Sequence, residues 1–146
     1  MQRNFWQRWA GLGLVYLVSQ AAWALDVTVS EAWAYRTLPN YKATIACVSF
    51  TPRQSGTLTG VRTSAARLVE LHHTQRTETS LTMRRLPNLA LVAHQAVTMR
   101  PDGLHMMLIG LPTPLATGST FTLTLDFVDS KGQVSQQQVQ AQVKAP

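Results

Sequence analysis

Apolar and polar residues alternate with a period of two along most of this chain, which is the pattern of strands that are buried on one face. The clearest case is residues 120–128, where Phe121, Leu123, Leu125 and Phe127 alternate with polar neighbours. Turn-forming residues separate such segments, and no convincing amphipathic helix of about ten or more residues is evident. The pattern predicts an all-β fold, either an antiparallel sandwich or a barrel. The predicted strands and short apolar segments are 27–35, 42–50, 57–63, 68–73, 80–86, 89–93, 96–99, 103–111, 120–128 and 134–143.

The first and last strands each carry a specific expectation. In the first strand, strict alternation places its apolar odd-numbered residues, from Val27 to Tyr35, on one face. In the last strand, Val134 is out of phase with the apolar positions from Val139 to Val143. This change of phase predicts a β-bulge near Val134.

The first 24 residues have the features of a cleavable secretory signal peptide. Arg3 and Arg8 give a positive start, an apolar run covers residues 10–18, and Ala22-Trp23-Ala24 is a small-x-small cleavage site. A membrane anchor is disfavoured because the apolar run is shorter than the ~20 residues that span a bilayer. No cysteine follows the run, so a lipid-anchored lipoprotein is not expected. We therefore expect residues 1–24 to be a signal peptide and residues 25–146 to form a single domain in the periplasm.

Charge and composition exclude several classes of function. Without residues 1–24, eleven Lys and Arg stand against seven Asp and Glu, a net charge of +4. These charges are scattered, so nucleic-acid binding is not expected. The lone cysteine cannot form an internal disulfide. No nucleophile, general base or carboxylate pair stands out, so the sequence does not predict an enzyme.

Two histidines and two methionines form a candidate metal site. His105 and Met107 are two residues apart, so on a strand they point to the same face. Ten residues separate His72 from Met83, and twenty-one separate Met83 from His105. Two imidazoles and two thioethers are a soft, neutral set of donors, and thioethers select Cu(I).

This spacing, His-x10-Met-x21-His-x-Met, resembles the signature of the periplasmic copper chaperones of the PCu(A)C family. The resemblance covers residues 27–143, nearly the whole predicted mature chain. Further segments that resemble the family are Val69-Glu70-Leu71-His72, Met83-Arg84, residues 105–111, Pro114-Leu115, Gly118 and residues 121–127.

The resemblance implies a cupredoxin-like Greek-key β-sandwich that binds one Cu(I) per chain through His72, Met83, His105 and Met107. It also implies delivery of that ion to the binuclear copper centre of cytochrome c oxidase. The acceptor would be an oxidase subunit or another periplasmic copper chaperone, and a monomer that does not span the membrane is expected. Some relatives carry a His- and Met-rich C-terminal tail, whereas residues 136–146 contain neither residue type. A second copper site in the tail is therefore not expected.

The other potential ligands are weaker candidates. His73 should face away from His72, and His94 lies in a predicted loop. Met99 precedes a turn and is a candidate for a spare thioether near the site. Met106 is expected in the core, and Cys47 is expected to be buried as a small apolar residue.

Several functions other than copper delivery are also compatible with a secreted β-fold. A blue-copper site needs two His and a Cys, and here Cys47 precedes every histidine. A copper-zinc superoxide dismutase needs more imidazoles than the four present. Two alternatives stay open at this point: a metal-free periplasmic β-sandwich for interaction or assembly, and a protein for copper storage or tolerance.

Overall fold

The computed structural model describes residues 24–146, which fold into nine β-strands and no helix. The all-β prediction is confirmed. Within this part of the chain, no helix is long and apolar enough to cross a membrane. The predicted signal peptide lies outside the described residues except for Ala24. The strands are β1 (Val27–Tyr35), β2 (Ala43–Pro52), β3 (Gly56–Arg62), β4 (Leu68–Arg76), β5 (Leu81–Leu86), β6 (Leu89–Leu91), β7 (Leu104–Ile109), β8 (Thr120–Asp129) and β9 (Val134–Lys144).

The strands form one sheet in the order β5-β4-β7-β2-β1-β9-β8-β3-β6. Neighbouring strands are antiparallel, except that β1 and β9 run parallel. Strand β3 also contacts β4, so the sheet curls until its two halves face each other. Strands β5, β4, β7, β2 and β1 make one layer, and β9, β8, β3 and β6 make the other.

The core lies between these two layers. Phe50 and Met106 from the first layer and Leu58, Leu123 and Phe127 from the second are each at most 1% exposed and belong to one hydrophobic cluster. Burial of this apolar area is the main favourable term in folding.

The first strand contains a bulge that the alternation of residues did not predict. Its pairing with β2 shifts register between Val29 and Glu31. An extra residue in one strand moves every following side chain to the other face. Ala34 is therefore fully buried on the face that carries Ala46, whereas Trp33 lies opposite Cys47 on the outer face of the layer, where both side chains are also buried. The prediction that the odd-numbered residues of β1 share one face was wrong for this reason.

The bulge predicted near Val134 is absent. Strands β8 and β9 pair without interruption from Val128 with Val134 to Thr120 with Gln142. Val134 does not share a face with Val139, Ala141 and Val143, because it is an apolar residue on the solvent face of β9, where it is 69% exposed. The predicted apolar segment 96–99 is also not a strand, and it contributes only a bridge between Val97 and Phe50.

Candidate metal centre

Strands β4 and β7 bring the two candidate histidines together on the outer face of the first layer. His72 and His105 are paired directly opposite each other, and residues so paired point to the same face of a sheet. Their ring centroids are 5.8 Å apart. Two histidines that are 33 positions apart in sequence are thus neighbours because of strand register alone.

Met83 reaches the same place through the β4–β5 hairpin. The turn is closed by the Thr77 amide, which donates to the Ser80 carbonyl at 2.8 Å. The resulting register pairs Met83 with Thr74, two residues from His72 on the same face. The Met83 sulfur lies 3.2 Å from His72 Nδ1. Met83 is 53% exposed, so this donor is accessible from solvent.

Met107 follows His105 by two residues on β7 and therefore lies on the same face. It is paired with Glu70 on β4 and with Ile45 on β2. The structure therefore brings His72, Met83 and His105 together directly, and it places Met107 in the neighbouring row of that face. All four residues lie on three adjacent strand segments.

One ring nitrogen of His105 makes a hydrogen bond, and the other has no partner among the described residues. Its Nδ1–H donates to the Gly103 carbonyl at 2.9 Å, because that carbonyl can only accept. The turn that carries Gly103 is fixed by its own amide, which donates to Arg100 O at 3.0 Å. His105 is fully buried, and its Nε2 has no hydrogen-bond partner among the described residues. A buried lone pair without a partner costs free energy in the folded state. A metal ion bound to that nitrogen would remove the cost.

Burial also lowers the pKa of His105. Removal from water disfavours the charged imidazolium, and nearby His72 and His73 act in the same direction, while the bond to Gly103 opposes the change. The lowered pKa favours the neutral imidazole, which is the form that binds a metal.

His72 is fixed by a carboxylate. Its Nε2 lies 2.9 Å from Glu70 Oε2, and the other oxygen of Glu70 lies 3.5 Å from Arg85 Nε. Sequence reasoning did not assign a role to Glu70. The signal that was available is its position two residues before His72 on the same strand.

Comparison with known proteins places this arrangement in a family. The family described as "LpqE-like: Putative lipoprotein LpqE-like" matches residues 27–143. The chain belongs to the LpqE-like family. A curated relative, "Putative lipoprotein Lxx21020" of Leifsonia xyli subsp. xyli, is 31% identical over 104 residues, which are 70% of this chain and 63% of the relative. The LpqE-like chain thus spans less than two thirds of the length of that relative.

Solved structures agree with this assignment. The "Solution structure of CuI-DR1885 from Deinococcus Radiodurans" is 32% identical, with a TM-score of 0.63, over 86% of this chain and 83% of that one. The "Copper-bound PCuAC domain from PmoF2" is 21% identical, with a TM-score of 0.65, over 85% of this chain and 97% of that one. The PCu(A)C resemblance and the cupredoxin-like β-fold are confirmed.

The remaining potential ligands of the LpqE-like protein lie elsewhere. His73 is paired with Leu104, so it points to the opposite face from His72. His94 is exposed and has a backbone φ of 63°. Met99 and Met106 are buried apolar residues of the core cluster. Cys47 is 1% exposed, and burial raises the pKa of its thiol to about 12.

The donor set depends on sulfur. Within residues 24–146, no group of three or more His, Cys, Asp or Glu is arranged to hold a metal ion. Two imidazoles without a third such donor do not suit Zn²⁺, which takes four Cys, His or carboxylate ligands in structural sites. Two imidazoles completed by thioethers suit Cu(I).

Proposed function

We propose that this LpqE-like protein binds one Cu(I) through His72, Met83, His105 and Met107 and carries it to a copper acceptor. The observation that carries the proposal is the buried Nε2 of His105, which has no hydrogen-bond partner among the described residues, on a ring whose centroid lies 5.8 Å from that of His72. The 32% identical protein DR1885 from Deinococcus radiodurans has been solved in a CuI form, which supports copper as the ion.

The donors favour the monovalent ion. All four are neutral, and thioethers are soft ligands that select Cu(I) over harder ions. A set of four protein donors leaves no open position for a substrate, which suits carriage rather than catalysis. The exposure of Met83 provides a position where a ligand of an acceptor can enter.

The PCu(A)C resemblance supports a destination. We assign delivery to the binuclear copper centre of cytochrome c oxidase, with an oxidase subunit or a second periplasmic copper chaperone as the acceptor. The protein would act as a monomer in the periplasm after cleavage of residues 1–24. The sole cysteine of the sequence, Cys47, is buried within β2 and is not among the proposed copper ligands.

Native mass spectrometry of the mature chain loaded with Cu(I) tests the proposal. We expect one copper per chain, and we expect the His105→Asn variant to lose it, because this change removes Nε2. The His94→Asn variant is the matched control, since His94 is exposed, follows β6 at the other end of the sheet, and has its backbone amide bonded to the Pro52 carbonyl. A wild-type protein without bound copper would leave a metal-free interaction module as the better description. Full retention by the His105→Asn variant would remove His105 from the ligand set.

A further inference from the structure

Glu70 occupies a specific place beside the candidate copper donors. It lies on β4, two residues before His72, and shares a face with both histidines because it pairs with Met107 as His72 pairs with His105. The side chains of Glu70 and His72 are only 21% and 16% exposed. Their contact of 2.9 Å is therefore partly shielded from water, where a charge-assisted hydrogen bond is stronger than at the surface.

The contact with Glu70 determines which nitrogen of His72 carries the proton. A carboxylate oxygen only accepts, so His72 Nε2 must be the donor. In a neutral imidazole the other nitrogen then has a free lone pair. That nitrogen is Nδ1, which lies 3.2 Å from the sulfur of Met83. Two lone-pair donors thus face each other with no proton between them, an arrangement that a soft cation would complete.

His105 provides the comparison. Its proton is held on Nδ1 by a backbone carbonyl, which leaves Nε2 free. The two rings are therefore oriented by different kinds of partner and present different nitrogens. The partner of His105 is part of the backbone and survives any substitution. The partner of His72 is a side chain, so its contribution can be measured by mutation.

We propose that Glu70 is a positioning residue for copper, which fixes His72 as the Nε2–H tautomer and directs Nδ1 to the ion. This inference rests on the proposed function. Histidine ligands commonly donate their second ring N–H to a carboxylate, which orients the ring and raises its basicity. Glu70 also adds a negative charge next to a set of neutral donors. Arg85, which is largely exposed and 3.5 Å away, steadies that carboxylate.

Two measurements on the Glu70→Gln variant test the inference. The first is the tautomer of His72 in the copper-free protein, read from long-range ¹H–¹⁵N correlations. We expect Nε2–H in the wild type. We expect a shift towards Nδ1–H in the variant, because the carboxamide NH₂ can donate to Nε2. A residue that merely supports the fold would not move this signal. Glu78→Gln, in the exposed β4–β5 loop, is the matched control.

The second measurement is Cu(I) affinity by competition with a chromophoric chelator. We expect Glu70→Gln to bind about 10–100-fold more weakly than the wild type, and Glu78→Gln to match the wild type. A wild-type His72 with its proton on Nδ1 overturns the inference even if the variant does not fold. Equal affinities of the two variants overturn it while the proposed function stands. A wild-type protein that binds no Cu(I) overturns both.

Discussion

His72 and His105 stand directly opposite each other on β4 and β7, yet each ring is held through a different nitrogen. His105 donates from Nδ1 to a backbone carbonyl, and His72 contacts a carboxylate through Nε2. The free nitrogens are therefore Nε2 of His105 and Nδ1 of His72. His72 Nδ1 lies beside the Met83 sulfur, whereas His105 Nε2 has no hydrogen-bond partner among the described residues.

Replacing either proposed thioether should weaken copper binding. Met83→Leu and Met107→Leu keep an apolar side chain of similar volume but remove the sulfur. We expect each to lower Cu(I) affinity by about tenfold or more, equivalent to ~1.4 kcal/mol. Met99→Leu is the control, because Met99 is a buried core residue. Competition with a chelator measures all three, and an equal loss in Met99→Leu would show that the sulfur assignment is wrong.

The copper-free protein should lose stability as the pH falls. The pKa of His105 is lowered in the folded state, chiefly by burial. The unfolded chain then binds a proton at ~6.5 while the folded chain does not, so the free energy of unfolding decreases as the pH falls below ~6.5. This loss ends below the folded-state pKa. Above the unfolded-state pKa, both forms are neutral and stability does not depend on this group.

Urea unfolding at a series of pH values checks this linkage. The His105→Asn variant has a side-chain amide that can still donate to the Gly103 carbonyl, but it has no titrating ring. We expect its stability to vary less between about pH 8 and about pH 5 than that of the wild type. His94→Asn should keep the wild-type slope. Parallel curves for wild type and His105→Asn would mean that this residue does not set the acid sensitivity.

Copper binding should also weaken in acid. Both His72 and His105 must be neutral to bind, whereas the thioethers have no proton to exchange. Cu(I) affinity should therefore fall once protons compete for imidazole, with up to about two protons taken up per copper released. Competition titrations from about pH 7.5 to about pH 4 measure this dependence. An affinity that stays constant over the whole range would exclude two imidazole ligands.

The fold should survive removal of the metal. The hydrophobic cluster spans both layers and includes no proposed ligand. A domain of this size buries a core without a metal. Copper should still raise the melting temperature, because it binds only the native arrangement. Addition of a Cu(I) chelator while circular dichroism is followed tests both points. Loss of the β signal in step with loss of copper would show that the ion is structural and that the carrier proposal fails.

Gly56 should be intolerant of a side chain. A Cβ added there would stand 2.5 Å from the Val128 carbonyl oxygen and would overlap the Leu25 side chain. Backbone must therefore move, and we expect Gly56→Ala to cost about 1–3 kcal/mol in stability. Gly60 lies in the same strand, and its nearest neighbour would be 3.9 Å away. Gly60→Ala is the control in thermal unfolding, and an equal loss in both variants would contradict the packing argument.

The sequence contained most of the strands because alternation and turn residues are local signals. Strand register is not local, and this limit explains the error in β1. The bulge between Val29 and Glu31 depends on pairing with β2, so counting residues in β1 alone misplaced Trp33. For Val134, a change of phase was attributed to a bulge, although the residue simply lies on the solvent face.

The candidate site was predictable in part. The four proposed donors were selected from their spacing and from the resemblance to a family. Alternation along β7 was enough to place His105 and Met107 on the same face. The direct pairing of His72 with His105 required the register of β4 against β7. The contact between Glu70 and His72 is a side-chain geometry that no pattern of residue types specifies.

Met83 lies on β5, which is the last strand at one end of the sheet and pairs only with β4 among the described strands. The other three proposed donors lie on β4 and β7, each of which is paired on both sides. A strand held on one side opens more readily than one held on two. The lifetime of the loaded state should therefore depend on the motion of this single strand. Changes in the 77–80 turn would then alter the speed of copper release more than the equilibrium affinity.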